Sequence, residues 1–209
     1  MSTVAVSFAL FGTLVDADLP SDPAAAVAAE LRERGVSVPA DFESAYRETH
    51  VDAPGGAEVP LPAHVSAALA ARDVEAPNNA ARRAVVAAFD PTVRRRDGVE
   101  AALSTAREHG PVAVCANCRV PELVRRTLIR AGLRDAFDCV VTSAACGWRK
   151  PDERVFRTVA RRLEVSPAEL VHVGDDPATD GGIVDSGGRF VDVADAPMSA
   201  LGTELEVRP

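Results

Sequence analysis

Lys150 is the first residue of this sequence that points to chemistry, because the chain otherwise uses arginine wherever it carries a positive charge. Of its 23 basic residues, 22 are arginines and one is a lysine. The ammonium group of lysine is a compact point charge, and the larger, planar guanidinium group does not replace it freely at a tight site. We therefore interpret Lys150 as a functional cation rather than as a surface lysine retained by chance.

A group of carboxylates follows Lys150 along the chain. The segment Lys-Pro-Asp at 150–152 is followed about 20 residues later by Val-Gly-Asp-Asp at 173–176, and Asp180 lies five residues after Asp175. Acidic residues at a strand-to-helix turn stabilise the N-terminus of the helix. This capping role stays open for Asp175, Asp176 and Asp180.

Strands alternate with helices in the second half of the chain, a pattern typical of a parallel sheet with helices on both faces. The fold class predicted is therefore α/β, with a Rossmann-like core. Ligand sites in such sheets lie beyond the carboxyl ends of the strands. The strands are predicted at 112–115, 139–142, 170–173 and 189–193, and the helices at 99–108, 121–131 and 153–163, with a short helix ending near 186.

The first half of the chain has a different character. An apolar run over 4–10 predicts a buried strand that leaves through the glycine turn at 11–14;. From 15 to about 95 the pattern is helical, with predicted helices near 24–34, 41–50, 63–72 and 79–89 and no convincing strand;. We call residues 15–95 the insert, and we predict an α/β core of residues 1–14 and 96–209 with the insert as a small helical cap.

Three strand-end segments, in this order and spacing, resemble the motifs of the haloacid dehalogenase superfamily of hydrolases over essentially the whole chain. They are Phe-Ala-Leu-Phe-Gly-Thr-Leu at 8–14, the lysine segment at 147–152, and V-G-D-D-x-x-x-D at 173–180. The resemblance implies that Lys150 neutralises the nucleophile and the substrate phosphate. It also implies that Asp175 is a Mg²⁺ ligand supported by Asp176 and Asp180, as in the phosphatase branch of the superfamily.

The residue types at two key positions depart from this resemblance. The superfamily's nucleophilic aspartate falls on Ala9, whose methyl group can neither attack nor bind a metal. The second aspartate, a general acid in typical phosphatases, falls on Phe11, where some relatives also have an aromatic residue. The hydroxyl residue of the second motif falls on Ala116, and losing a comparable donor costs about 10²–10³ in rate in other enzymes.

The remaining frame of the site is retained in the sequence. By the same resemblance, Gly12, Thr13 and Asn117 join Ala116 as predicted substrate-binding positions. Ser7 shares the strand face of Ala9 by period two but lies about 6–7 Å deeper, so it does not replace the missing carboxylate. His172 lies inside an apolar strand, and we interpret it as a core histidine.

Composition restricts the partners and the compartment that we expect. Acidic residues exceed basic ones by 31 to 23, giving a formal net charge of −8, which disfavours nucleic acid and anionic membranes as partners. The N-terminus has no basic region, and no apolar run approaches a membrane span of about 20 residues. We therefore expect a cytoplasmic protein. Cys115 and Cys118 form a lone C-x-x-C, and we interpret them as reduced cysteines in or near strands.

These observations leave three functional hypotheses. The first is a phosphatase-like hydrolase that has lost or nearly lost hydrolysis, with Mg²⁺ bound weakly or not at all and a small phosphorylated molecule as the ligand. The second is an active phosphohydrolase with an engineered Asp-to-Ala substitution at position 9, against which the change at Ala116 argues. The third is a non-catalytic binding protein, whether for a phosphorylated ligand or for a protein partner.

Overall fold

The computed structural model describes residues 4–196 and 198–206, which form seven strands and nine α-helices. In chain order these are β1 (Ala5–Phe8), β2 (Val15–Ala17), α1 (Pro23–Glu33), α2 (Phe42–Arg47), α3 (Leu61–Ala70), α4 (Ala80–Ala88), β3 (Val93–Arg95), α5 (Val99–His109), β4 (Val112–Ala116), α6 (Leu123–Arg130), β5 (Cys139–Thr142), α7 (Ser143–Cys146), α8 (Glu153–Arg162), β6 (Leu170–Gly174), β7 (Arg189–Asp192) and α9 (Leu201–Glu206). Short 3₁₀ helices cover Pro167–Glu169, Asp180–Ser186 and Met198–Ala200.

Five strands form one sheet in the order β5-β4-β1-β6-β7, and every neighbouring pair is parallel. This confirms the α/β fold predicted from the alternation of strands and helices. The chain moves from β1 toward β4 and β5 on one side and reaches β6 and β7 on the other. The strand order therefore reverses between β1 and β6, which is the place where open α/β sheets bind ligands.

The central strands are buried on both faces, as parallel strands covered by helices must be. Every residue of β1, β4 and β6 is buried. In the register of the sheet, Phe8 lies opposite both Val114 and Val173. The carboxyl ends of these three strands consequently meet at one edge, so the residues that follow them are neighbours in space.

The helices of the insert form where apolar residues recur at helical spacing and capping groups fix the ends. The carboxylate of Asp22 accepts a hydrogen bond from the backbone N–H of Ala25 at 2.9 Å, and Pro23 opens α1;. The buried face of α1 packs against α4, which also contacts α3. Fully burying a side chain such as that of Leu31 stabilises the fold by about 1.5–3 kcal/mol.

The expectation that residues 15–95 contain no strand was wrong. β2 and β3 stand at the two ends of this stretch and pair with each other in antiparallel orientation, with Val15 opposite Arg95 and Ala17 opposite Val93. Each strand has only three residues, and a pairing of two segments so far apart in sequence leaves no local signal. We call the β2–β3 pair the ribbon, and it stands where the insert meets the core. The division of the chain into a core and a cap stays a prediction.

None of the helices in residues 4–196 and 198–206 combines the length and the hydrophobicity that a bilayer span requires. The helices α7 and α9, which sequence patterns had not predicted, have only four and six residues. Cys115 and Cys118 are buried, and all four cysteines are free thiols. Burial raises the pKa of the Cys115 thiol to about 12, which makes it unreactive at neutral pH.

Candidate functional site

A pocket of about 200 Å³ opens at the carboxyl edge of the sheet, between the ends of β1, β4 and β6. Within the described residues, its lining belongs to the core and not to residues 15–95. It includes Ala9, Ala116, Lys150 and Asp175, which come from four separate segments. The lining residues are Ala9, Leu10, Phe11, Ala116, Asn117, Lys150, Asp175, Asp176, Thr179 and Asp180.

Ala9 occupies the position directly after the central strand. Its backbone N–H donates to the carbonyl oxygen of Val173 at 2.8 Å, and the residue is 4% exposed. Phe11 follows at the turn, where its half-buried ring packs against the apolar core. Neither side chain carries an ionisable group, so the first segment contributes no acid, base or nucleophile to the pocket.

Lys150 lies beneath the pocket rather than on the surface. Its residue is 4% exposed, and its Nζ forms an ion pair with Oδ1 of Asp180. The same Nζ donates to the carbonyl oxygen of Cys115 at 3.0 Å. The charge of the lysine is thus already neutralised by a carboxylate of the protein. This leaves less of that charge for a bound anion than the resemblance implied.

Asp180 receives four donors, which makes it the organising carboxylate of the site. Its Oδ1 faces Lys150 and His172, and its Oδ2 accepts from the backbone N–H groups of Asp175 at 3.1 Å and Asp176 at 3.2 Å. Burial alone would raise the pKa of Asp180, but the hydrogen bond with His172 and the charge of Lys150 hold the pKa well below its usual range;. Asp180 is therefore ionised and fully engaged.

His172 connects this carboxylate to the interior of the sheet. It is fully buried in β6, as expected of a core histidine, and its Nε2 lies 3.0 Å from Oδ1 of Asp180. Burial, followed by the charge of Lys150, lowers the pKa of His172 to about 4. The neutral ring must then donate Nε2–H to the ionised carboxylate, so Nδ1 accepts from the hydroxyl of Ser7 at 2.8 Å;.

Sequence reasoning missed the link between Ser7, His172 and the site. A signal for it was present in the sheet pattern, because Ser7 and His172 are register partners on adjacent strands. Two polar residues opposite each other in otherwise apolar buried strands indicate a hydrogen-bonded pair, since buried polar groups need partners.

Asp175 is held from below by the glycine turn. The hydroxyl of Thr13 donates to its Oδ1 at 2.6 Å, and Thr13 itself is fully buried. Gly12 has a φ of +78°, and a Cβ atom there would lie 2.1 Å from Oδ2 of Asp175. Only glycine permits this approach without displacing the carboxylate. The structure thus gives both residues a part in positioning Asp175, while their substrate-binding role stays a prediction.

Asp176 forms the turn that leads into the 3₁₀ helix. Its Oδ1 accepts from the backbone N–H of Ala178 at 3.0 Å, and its Oδ2 accepts from the hydroxyl of Thr179 at 2.9 Å. These are the local bonds by which an aspartate stabilises a turn. Asp176 therefore stabilises the turn before the 3₁₀ helix, whose N-cap residue is Thr179, and its supporting role toward a metal stays a prediction.

Asn117 holds the lysine segment in place. Its Oδ1 accepts from the backbone N–H of Lys150 at 2.8 Å, and its Nδ2 donates to the carbonyl oxygen of Lys150 at 3.0 Å. This pair of bonds ties the end of β4 to the loop before α8. Ala116, by contrast, is 3% exposed and offers no donor.

The pocket offers few oxygen atoms that are free to bind Mg²⁺. Within residues 4–196 and 198–206, no three histidine, cysteine or acidic side chains gather in a metal-binding arrangement. The oxygens of Asp180 and Asp176 are engaged as described, and Ala9 supplies none. Asp175 and Asp176 are both exposed, but both oxygens of Asp176 accept hydrogen bonds within its own turn, so Asp175 is the less engaged of the two. Mg²⁺ sites on proteins use one or two carboxylates together with water and substrate oxygens.

Comparison with known proteins identifies the family. Residues 5–182 match the family model described as haloacid dehalogenase-like hydrolase. The match covers most of the chain and includes all the strand ends that form the pocket. The chain therefore belongs to the haloacid dehalogenase-like hydrolases.

Individual relatives match over shorter stretches. Haloacid dehalogenase-like hydrolase domain-containing protein 3 of Bos taurus is 40% identical over 80 residues, which are 38% of this chain and 31% of that protein. Phosphoserine phosphatase of Thermus thermophilus is 40% identical over 81 residues, or 39% of this chain and 32% of the enzyme. The matched region thus spans about a third of the length of these curated relatives.

Solved structures share the fold across nearly the whole chain. The 2-haloacid dehalogenase of Pseudomonas syringae has a TM-score of 0.62 at 18% identity, covering 98% of this chain and 97% of its own. The hydrolase YfnB of Bacillus subtilis, bound to magnesium, has a TM-score of 0.59 at 16% identity, and the match covers 99% of this chain and 100% of YfnB. CbbY of Rhodobacter sphaeroides, in complex with phosphate, has a TM-score of 0.58 at 19% identity, covering 90% and 84%.

Proposed function

We propose that this chain is a phosphatase-type haloacid dehalogenase-like hydrolase whose covalent hydrolysis is impaired, and whose pocket takes a small phosphorylated molecule. The observation that carries the proposal is the methyl group of Ala9 in the pocket beside Lys150 and Asp175. The position after the central strand has no group that could attack phosphorus or carbon. In a well-studied enzyme of another family, removal of the nucleophile costs on the order of 10⁶ in rate.

Relatives support the phosphatase branch. Matches by name include the phosphoserine phosphatase of Thermus thermophilus and the glyceraldehyde 3-phosphate phosphatase of Methanopyrus kandleri, the latter 48% identical over 48 residues. The phosphate found with CbbY and the magnesium found with YfnB are the ligand types that we propose for this pocket. Asp175, with Thr13 behind it, is the residue that would hold Mg²⁺, and we propose that it does so weakly.

The charges around the pocket favour a ligand that arrives with a cation. The ion pair of Lys150 with Asp180 is neutral, and Asp175 and Asp176 add two negative charges. A phosphate dianion alone would be repelled by this arrangement. We therefore expect phosphate without Mg²⁺ to leave the melting temperature unchanged, and the two together to raise it. A rise with phosphate alone would contradict this charge argument.

The test of impaired hydrolysis is a nitrophenyl phosphate assay with Mg²⁺. We expect the unmodified chain to hydrolyse this substrate no faster than the buffer blank, because Ala9 supplies no nucleophile. Nitrophenyl phosphate is the fair substrate, because Phe11 supplies no general acid and the nitrophenolate leaving group needs none. Ala9→Asp should restore turnover that depends on added Mg²⁺. Clear Mg²⁺-dependent activity in the unmodified chain that survives Lys150→Ala would overturn the proposal, since the chemistry would then lie on other residues.

A non-catalytic binding protein is the alternative that this pocket also supports, because Ala9 and Ala116 remove both the attacking group and the hydroxyl donor while the surrounding frame remains. The two proposals differ in one measurement. Failure of Ala9→Asp to restore any turnover in a folded variant would favour a binding function over an impaired enzyme.

A further inference from the structure

The glycine- and proline-rich segment of the insert crosses onto the core. We call residues 54–61 the strap. The backbone N–H of Glu58 donates to the carbonyl oxygen of Gly147 at 2.9 Å, and the N–H of Arg149 donates to the carbonyl oxygen of Gly56 at 2.9 Å. The strap is thus bonded to the loop that leads directly into the lysine segment.

The strap is also bonded to the loop that follows β4. The backbone N–H of Leu61 donates to the carbonyl oxygen of Arg119 at 2.9 Å, and Nε of Arg119 donates to the carbonyl oxygen of Val59 at 3.0 Å. These two core loops carry Asn117 and Lys150, which are themselves bonded to each other. One segment of the insert therefore clamps both loops that supply the pocket.

The carboxylate of Glu58 closes this attachment. Its side chain is 4% exposed, and its Oε2 accepts from the hydroxyl of Ser143 at 2.8 Å. The same hydroxyl oxygen accepts from the backbone N–H of Cys118 at 2.8 Å, and Nε of Arg119 lies 3.4 Å from Oε1 of Glu58. A buried carboxylate with these partners links the strap, the loop after β4 and the start of α7.

The close fit of the strap depends on a glycine. Gly56 has a φ of +79°, and a Cβ atom at this position would lie 2.2 Å from Oδ2 of Asp152. The neighbouring carbonyl oxygen of Gly55 accepts from the guanidinium of Arg154 at 3.2 Å. A side chain at Gly56 would therefore strain the backbone and push the strap away from the start of α8.

Among the described residues, most other side-chain bonds between the insert and the core lie close to the chain connection. The exception is the ion pair of Arg82 with Glu122, which is exposed to solvent and therefore contributes little;. Arg126 on α6 donates to the carbonyl oxygens of Val86 and Phe89 at 3.0 and 2.8 Å, and it pairs with Asp90. These residues stand at the end of α4, next to β3 in sequence. Contacts near a connection can persist when the insert turns about it, whereas the strap cannot move without losing its bonds.

We propose that the strap is a latch that fixes the insert on the core and holds the loops of Asn117 and Lys150 in one arrangement, with Glu58 as the residue that closes it. The insert moves away from the core only when the buried carboxylate loses its partners. Opening exchanges the bonds of Glu58 and of the strap backbone for bonds to water, and it is costly because these bonds must be lost together. The latch makes no use of a ligand, so it holds or fails independently of the proposed function.

Hydrogen exchange of the ligand-free protein tests the latch. The amides of Glu58, Leu61 and Arg149 should exchange together, faster than the amide of Ala9 in the sheet, which donates to Val173. This common rate would report opening of the latch below the level of global unfolding. Exchange of the three amides at the rate of an unstructured chain would overturn the proposal.

Two variants open the latch by different routes. Glu58→Gln removes the charge and keeps the size, and Gly56→Ala displaces the strap through its backbone. Each should accelerate exchange at the three latch amides, those of Glu58, Leu61 and Arg149, by about tenfold or more and leave the amide of Ala9 unchanged. A neutral amide accepts a weaker hydrogen bond than a carboxylate, and a Cβ atom at position 56 strains the backbone. Glu75→Ala, at an exposed acidic residue of the insert, is the matched control and should change nothing.

The pattern of exchange separates the outcomes. Acceleration confined to the three latch amides supports the latch. Equal acceleration at the amide of Ala9 would assign Glu58 and Gly56 to global stability and overturn the proposal, as would an unchanged rate at the latch amides in both variants.

Discussion

The ammonium group of Lys150 forms a buried ion pair with the carboxylate of Asp180, and both residues are almost completely excluded from solvent. The pair explains how a lysine persists beside Ala9, where no carboxylate from the first strand balances its charge. A buried charge needs a partner, and Asp180 supplies it from the first residue of the 3₁₀ helix that follows β6. The charge of Lys150 is therefore balanced by Asp180 without a carboxylate at position 9.

Asp180→Asn should be strongly destabilising. It leaves Lys150 buried without a countercharge, and an amide NH₂ would replace one of the oxygens that accept from His172 and from the backbone. We expect the free energy of unfolding in urea to fall by about 3–5 kcal/mol. Asp176→Asn, at an exposed neighbour in the same segment, should change it by less than about 1 kcal/mol. Equal losses in the two variants would show that Asp180 has no special role.

The free energy of unfolding should decrease as the pH falls from about 6.5 to 4. Burial and then the charge of Lys150 lower the pKa of His172 to about 4, so in this range the unfolded chain binds a proton that the folded chain does not. The loss amounts to about 3 kcal/mol at pH 4. His172→Gln should flatten the profile measured by urea unfolding. Burial also lowers the pKa of His64, which is only partly buried, so His64→Gln should flatten the profile less than His172→Gln does.

The pKa of Asp180 predicts a second loss at more acidic pH. The pKa of Asp180 is held below its usual range in the folded protein. The contribution of Asp180 to the free energy of unfolding is therefore fully present above the pKa that this residue has in the unfolded chain, and it is lost as the pH falls below about 4. In His172→Gln the free energy of unfolding should still decrease as the pH falls below about 4. A free energy of unfolding that stays constant in this range would contradict the prediction.

Thiol labelling distinguishes reduced core cysteines from a redox or zinc pair. Cys115 is fully buried with a pKa raised by burial to about 12, and burial also raises the pKa of Cys118. We expect iodoacetamide at pH 8 to leave both unlabelled in the folded protein and to label all four cysteines after denaturation. Rapid labelling of Cys115 or Cys118 in the folded protein, or release of zinc on denaturation, would contradict this interpretation.

Calorimetry should show weak Mg²⁺ binding in the unmodified chain. Among the described residues, Asp175 and Asp176 are the exposed acidic residues of the pocket. Both oxygens of Asp176 already accept hydrogen bonds in its turn, so Asp175, aligned by the hydroxyl of Thr13, is the carboxylate left for Mg²⁺. With one carboxylate available, we expect a dissociation constant of about 1 mM or weaker. Asp175→Asn should remove the remaining signal, and Asp176→Asn should not. Tight binding in the unmodified chain would mean that another carboxylate has replaced the missing one.

The strand ends could be predicted from the sequence because each follows an apolar run of strand length, and parallel strands present their carboxyl ends at one edge. Ala9, Ala116 and Asp175 were located in this way. The partners of Asp180 could not be predicted, because its distances to Lys150 and His172 depend on how the 3₁₀ helix after β6 folds back under the sheet. Patterns of hydrophobicity carry no information on such a local bend.

The β2–β3 ribbon and the strap were missed for a related reason. Val15–Ala17 and Val93–Arg95 are too short to show alternation, and their pairing joins segments at opposite ends of the insert. Glu58 looks like an ordinary loop carboxylate in a Pro/Gly-rich stretch, and its burial follows only from the docking of the strap. Long-range contacts of this kind depend on the three-dimensional arrangement of the domains rather than on local composition.

The Ala9→Asp background allows the roles of Ala116 and Lys150 to be separated. Ala9→Asp with Ala116→Ser should turn over nitrophenyl phosphate faster than Ala9→Asp alone, by up to about 10²–10³, because the hydroxyl donates to developing negative charge. Adding Lys150→Ala should abolish the gain, since the introduced carboxylate would lose a neighbouring cation and hold a proton more readily.

Lys150→Ala also leaves Asp180 buried without its cation, so loss of activity could reflect unfolding instead of chemistry. Lys150→Ala with Asp180→Asn removes both charges of the pair and is the matched control, because neutral partners avoid the isolated buried charge. This combination in the Ala9→Asp background should fold with higher stability than Lys150→Ala alone and should remain inactive. Turnover in the folded, charge-free combination would show that Lys150 is dispensable, and the restored activity would then rest on the introduced carboxylate without the lysine.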